Sequence, residues 1–317
     1  MKLKPSKYYL DSTDKRFTIF GDVISGLQSI DASYTIPMEN SAAIGNRGGI
    51  SKIQNGFGKG NISFSKKMLT CDKNITDYIG SKDYIYGSLE FLPFDLNPVY
   101  DDLIDDYTYE PADFGDEQNP IIKFDSGIIE SYTCSFTVDS LPETSVNMAI
   151  YGDMGKTAKI PTENPPKEPA TTVDFIPFSS GISLVCDGRE SNHVSSFTLT
   201  IITAHQPYYK IGSLNPCDII PIKPVKQNFN VDIDIIDYQT RSLHDYIKTG
   251  IHVKNLSVKM RDKCDPDKYC TFEFPNSYLV SENVSVDSQN NTKAKLSYEC
   301  LTIDKPIINY YGFPDGS

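Results

Sequence analysis

Tryptophan is absent from this 317-residue chain, histidine occurs four times, and arginine is outnumbered by lysine 25 to 5. So little arginine leaves bidentate recognition of phosphate or carboxylate without its usual tool. The formal net charge of −12 argues against a surface that grips nucleic acid, because neutralising phosphates takes Lys and Arg. It suits a protein that stays near DNA without sticking to it, and equally suits plain solubility. No stretch approaches the roughly 18 consecutive apolar residues of a membrane-spanning helix, so no membrane partner is expected. Met1 to Leu10 lacks the apolar centre of a signal peptide. The seven cysteines are scattered and odd in number, which reads as reduced thiols in a protein made in a cytoplasm.

Catalytic and ligand patterns are also missing. His193, His205, His244 and His252 form no pair at metal-ligand spacing. Cys264 and Cys270 are separated by five residues, unlike a zinc knuckle, and no second pair answers them. Gly56-Phe-Gly58-Lys-Gly60 precedes a strand pattern and lacks the Lys-Ser/Thr ending of a phosphate loop. Residues 101–117 carry eight acidic groups and no basic one, without the spacing, central Gly or closing Glu of a calcium loop. They read as a solvated acidic insert. No catalytic, cofactor-binding or metal-ligating residue is assigned, no cofactor is expected, and the chain is not read as an enzyme.

What is present is aromatic and β-prone. Twenty Tyr and sixteen Phe, with 20 Gly and 20 Pro, predict many short strands joined by turns. The pattern occurs twice. At an offset of 167, residues 17–45 lie over 184–212, with Gly21 on Gly188 and Ser29 on Ser196. Ile30, Ala32 and Tyr34 fall on Phe197, Leu199 and Ile201, with small polar residues between them. That is the period of a strand with one buried and one wet face. A second strand, Gly60 to Met68, matches Asn228 to Ile236. Helical candidates follow around Asp77-Tyr78-Ile79 and Asp245-Tyr246-Ile247. Later strands match at an offset of 148, placing Val146 on Ala294 and Met148 on Leu296.

These matches predict a mainly β protein: two tandem copies of a β-sandwich or partial-barrel domain, each with one short flanking helix. The expected boundaries are 1–155, holding the insert 101–117, and 173–317. A proline-rich linker, 156–172, joins them, with Pro161, Pro165, Pro166 and Pro169. The wet strand face carries Ser29, Asp31, Ser33, Ser63, Thr137 and Asp139, then Thr198, Thr200, Asp232, Asp234, Ser285 and Asp287. Such a face is either the outside of a sandwich or the lining of a water-filled channel. Lys293 and Lys295 interrupt it, either pairing with nearby carboxylates or marking a strand that faces elsewhere.

Gly26-Leu-Gln-Ser-Ile-Asp-Ala-Ser-Tyr34 leading into Ala43-Ile-Gly45, and the order strand, long loop, strand, short helix, hairpin, resemble the tail tube proteins of long-tailed bacteriophages. The doubled pattern is similar to the duplicated members of that family. The resemblance implies trimeric, pseudo-hexameric rings of 24 strands that stack into a tube. It also implies that the twelve residues above face the lumen and that the long loops contact the next ring. The resemblance further implies that DNA passes through without specific binding, that other tail proteins are partners, and that the protein resides in the virion tail after synthesis in the bacterial host cytoplasm. A tail terminator or baseplate hub component shares that domain. The competing expectation is a receptor-binding or adhesin module for host surface or carbohydrate, using Tyr107, Tyr109, Tyr208 and Tyr209.

Overall fold

The structure, a computed structural model, describes residues 15–42, 50–54, 58–68, 72–91, 94–101, 106–111, 121–138, 140–155, 177–211, 216–235, 252–286 and 292–313. In chain order the first elements are β1 (Lys15–Ile19), β2 (Asp22–Val23), β3 (Leu27–Thr35), β4 (Met38–Ala42), β5 (Ile50–Gln54) and β6 (Lys59–Lys67). Helix α1 (Lys73–Thr76) precedes β7 (Ile85–Phe91), β8 (Phe94–Asp101), β9 (Asp106–Pro111), β10 (Ile121–Thr137), β11 (Glu143–Ile150) and β12 (Met154–Gly155). Then come β13 (Pro177–Cys186), β14 (Arg189–Ser191), β15 (Val194–Ile202), β16 (His205–Tyr208), β17 (Asp218–Pro221) and β18 (Val225–Ile235). The last are β19 (His252–Asp262), β20 (Tyr269–Val286), β21 (Thr292–Thr302) and β22 (Ile307–Tyr311). The protein is mainly β, as its aromatic and β-branched composition predicts.

Two compact units interleave along the chain. The first takes residues 1–24, 85–126 and 152–169. Here β1 pairs with β2 and β7, and β12 pairs with the start of β10. Phe17 and Phe124 stack at 6.3 Å in its core, and the hydroxyls of Thr18 and Ser88 hydrogen-bond at 2.8 Å where both are buried. Part of the acidic run, read as a loop, is strand: β9 pairs antiparallel with β8, Tyr107 opposite Tyr100. The proline-rich segment 156–172 lies outside the described residues.

The second unit takes residues 25–84, 127–151 and 170–317. Eight strands run side by side in the order β3-β6-β11-β10-β15-β18-β21-β20. Both halves of this run follow one scheme: β3, β6, β11, β10, then β15, β18, β21, β20. Their irregularities match as well. The ladder skips Gln28 in β3 and Ser195 in β15, at the offset of 167. It skips Glu130 in β10 and Val280 in β20, at an offset of 150. Cross-strand partners therefore set Val146 on Leu296 and Met148 on Tyr298, two residues beyond the match expected from the sequence. A slip of two keeps every side chain on its face, so alternation alone cannot detect it. The β1–β2 and β13–β14 turns correspond too: Phe20-Gly21 and Asp187-Gly188 all have positive φ, the geometry of a tight type I′ hairpin.

The apolar face of the eight-stranded run carries a chain of rings: Phe136 to Phe197 (5.9 Å), Phe197 to Phe229 (6.1 Å), and Phe229 to Phe274 (5.0 Å). Each is at most 2 % exposed. Two charged side chains of the described residues share this face, Glu282 at the β20 end and the fully buried Lys66. Lys66 follows Ile62 and Phe64 inward and meets the Asp72 carboxylate, and both are almost fully buried. Asp72 stands at the N-cap of α1 but makes no capping bond, because its carboxylate is turned to Lys66. The helix is a single turn that ends before Tyr78, so Asp77-Tyr78-Ile79 lies in the turn after it and not in the helix. The counterpart at 245–247 lies outside the described residues. The long loops that follow the first strand of each copy contain the hairpins β4–β5 and β16–β17.

A buried charge without its partner is costly, so Asp72→Ala should lower stability by about 3–5 kcal/mol. Lys66→Met combined with Asp72→Leu should recover most of that loss. Urea unfolding midpoints measure both, and an Asp72→Ala protein as stable as the parent would contradict the assignment.

Candidate functional site

The face opposite the aromatic core carries polar rows across all eight strands, interrupted toward one end by apolar side chains such as Ile128, Ile202, Tyr278 and Leu301. One cross-strand row reads Asp31, Ser63, Asn147, Ser131. The next reads Ser29, Ser65, Ser145, Thr133, Thr200, Asn228, Glu299. Another reads Thr137, Ser196, Asp232, Lys295, Asn283. Ser33, Thr198, Asp234 and Ser285 continue the same parity on their strands. Ten of the twelve residues singled out from the sequence therefore share one sheet face. Asp139 and Asp287 lie outside the described residues. Hydroxyls and amides predominate because short polar side chains stand upright on a pleated, wetted surface.

Charge on this face is balanced by pairing. Lys293 reaches Asp234 at 3.8 Å and Lys295 reaches Asp232 at 4.0 Å, so both lysines belong to the face. Lys67 meets Glu143 at 2.6 Å, Lys226 meets Glu299 at 3.1 Å, and Lys59 meets Glu130 at 3.2 Å. These six additional residues were not picked out in the sequence; strand parity carries the signal for all but Glu130, which sits at the bulge of β10. Asp31 has no ion-pair partner among the described residues. It borders a shallow concavity of about 320 Å³ lined by Ser29, Ser63, Ser65, Ser145 and Asn147. Exposed ion pairs of this kind contribute little stability, about 0–1 kcal/mol each.

In the middle of the run, β10 and β15 join the two halves, with Phe136 opposite Phe197, Cys134 opposite Leu199 and Thr133 opposite Thr200. The corresponding edges at the ends have no strand partner among the described residues. These are the outer edge of β3 and the β19-facing edge of β20 beyond Tyr278. Val284 and Val286 are exposed on that β20 edge, and Tyr34 is exposed on β3.

At one end of the face, the β16–β17 hairpin folds over β10 and β11. Ile219 packs with Ile128, Ala149 and Tyr151. Burial, with Glu130 adding to it, pushes the Tyr151 hydroxyl up to about 12. His205, at the neck of the hairpin, sits 3.1 Å by its Nδ1 from the Thr203 carbonyl, and burial holds its pKa below the ordinary 6.5. The Ser81 and Thr203 carbonyls and Glu130 oppose that shift, while Lys223 adds to it. Tyr208 is exposed and Tyr209 half-buried, and the side chains of Tyr107 and Tyr109 lie outside the described residues. Among the described residues no cluster of three or more His, Cys, Asp or Glu converges to hold a metal.

No family model matches this chain, and no curated protein matches it.

The depressed pKa of His205 has a definite sign. The unfolded chain takes up its proton at a higher pH than the folded one, so stability is present above about 6.5 and falls as the pH drops. His205→Gln should flatten the dependence of the urea midpoint on pH between 7 and 5, within the range where an imidazole titrates (about 5 to 8).

Proposed function

We propose that this chain is a structural virion protein that forms the stacked rings of a bacteriophage tail tube, a channel for DNA during ejection. The observation that carries the reading is the β10–β15 junction. It joins two strand sets of one scheme and leaves the same two edges without a strand partner among the described residues at the ends of the run. Pairing β20 of one chain with β3 of another repeats the junction. Applying the two offsets sets Val286 opposite Ile30, Ser285 opposite Asp31, Val284 opposite Ala32 and Glu282 opposite Tyr34. The hydroxyl of Ser285 then faces the carboxylate of Asp31.

Contacts of this head-to-tail type generate rings when the rotation closes, and closure removes edges that otherwise invite aggregation. Three chains of eight strands make 24, matching the trimeric pseudo-hexamer implied by the family resemblance, and a barrel of that size holds water in its lumen. The polar face, with its lysines matched to carboxylates, offers phosphate no net positive surface. DNA passes it without specific binding. On this reading the twelve polar positions named from the sequence face the lumen, and the two halves are tandem copies of one domain. Other tail proteins are its partners in the virion, and the bacterial host cytoplasm is its site of synthesis.

Negative-stain microscopy and mass photometry of the purified protein should reveal trimers, rings with a central hole, or tubes. Val284→Glu places a charge in the paired edge and should yield a folded monomer, verified by circular dichroism. A parent protein that stays monomeric at every concentration would sink the reading.

A further inference from the structure

We infer that Tyr278, Val280 and Leu301 form a seat for the β4–β5 hairpin of a second copy of this chain. The inference rests on the ring reading and adds to it a second contact, apart from the paired edges.

The argument starts from a contact made inside the chain. Where β15 leaves the sheet, Thr203 is pinned to the bulge of β10. Its N–H donates to the Glu130 carbonyl at 2.9 Å, and its hydroxyl donates to the Ile129 carbonyl. The chain then turns into β16–β17, which lays Ile219 on Ile128, Ala149 and Tyr151. The hairpin therefore covers the strand set beside its own.

The offset of 150 carries this covered patch onto the second strand set. Ile128 becomes Tyr278, Glu130 becomes Val280 and Tyr151 becomes Leu301. All three are exposed, Tyr278 at 51 %, Val280 at 65 % and Leu301 at 53 %. The offset of 167 carries the covering element onto the first strand set. Thr203 becomes Ile36 and His205 becomes Met38, at the neck of β4–β5. These are also exposed, at 45 % and 55 %. Two apolar surfaces thus lie open at the two positions that the internal contact brings together. Apolar groups clustered in this way mark an interaction site.

Charge supports the same occupant. The register position of Ile219 in β17 is held by Lys52 in β5, counting from the paired ends His205–Pro221 and Met38–Gln54. Glu299 stands where Ala149 does. Where the contact within the chain is apolar, the register sets a lysine position of β5 over Glu299, which within its own chain meets Lys226 at 3.1 Å. The hairpin therefore grips its neighbour sideways within a ring, whereas the family resemblance assigns the long loop to the next ring.

The test uses full-length protein and measures association by mass photometry. Val280→Asp and Met38→Asp should each weaken self-association at least tenfold while leaving the urea midpoint of the monomer unchanged. Lys52→Glu and Glu299→Lys should each weaken it, and the two together should restore it. If the parent protein associates and all four variants associate equally well, the seat is wrong while the paired edges stand. If the parent does not associate at all, both ideas fall.

Discussion

The pairing of β10 with β15 is the constraint on which the second unit depends. Seven consecutive residue pairs join the two strand sets there, from Ser131 opposite Ile202 to Thr137 opposite Ser196. The ladder satisfies the backbone of both strands and brings Phe136 onto Phe197. The aromatic chain through Phe229 and Phe274 can then cross from one set to the other. Without it each set would expose two edges, and Phe136 and Phe197 would lose their contact across the junction. With it, one side of eight strands is sealed by rings and the other is left to water.

The two faces are held apart by different means. Ring stacking and burial organise the inner face, where apolar area leaves water at about 25 cal/mol per Å². Short hydroxyl and amide side chains, with ion pairs such as Lys67–Glu143, organise the outer one. Lys66 is the exception that links fold to helix. A lysine at an inward position needs a carboxylate within reach. Asp72 supplies it at the cost of its own capping bond, which is consistent with α1 being only one turn long.

Much of this was legible in the residues. The alternation Ile30, Ala32, Tyr34 against Ser29, Asp31, Ser33 identified strand and sidedness together. Gly21 and Gly188 marked equivalent turns because the second turn position there has positive φ. Other features escaped. Alternation has no way to detect a shift of two, so the later strands matched at 148 where the register has 150. The sequence pattern places Asp77-Tyr78-Ile79 in a helix, yet the helix stops at Thr76. The acidic run concealed a strand, β9, whose formation depends on β8 as a partner.

The amino-acid sequence by itself determined that this protein is β-rich, that its strands have one apolar and one polar side, and that its pattern occurs twice. Those properties are local, set by side-chain period and turn chemistry within a few residues. Only the tertiary structure decided which strands are neighbours, which edges stay open, and that Lys293 and Lys295 meet Asp234 and Asp232. It also decided that one hairpin covers Ile128 and Tyr151 while Tyr278 and Leu301 remain half exposed. Strand order and register join residues far apart in the chain, and no local pattern records which of several similar strands will be the partner.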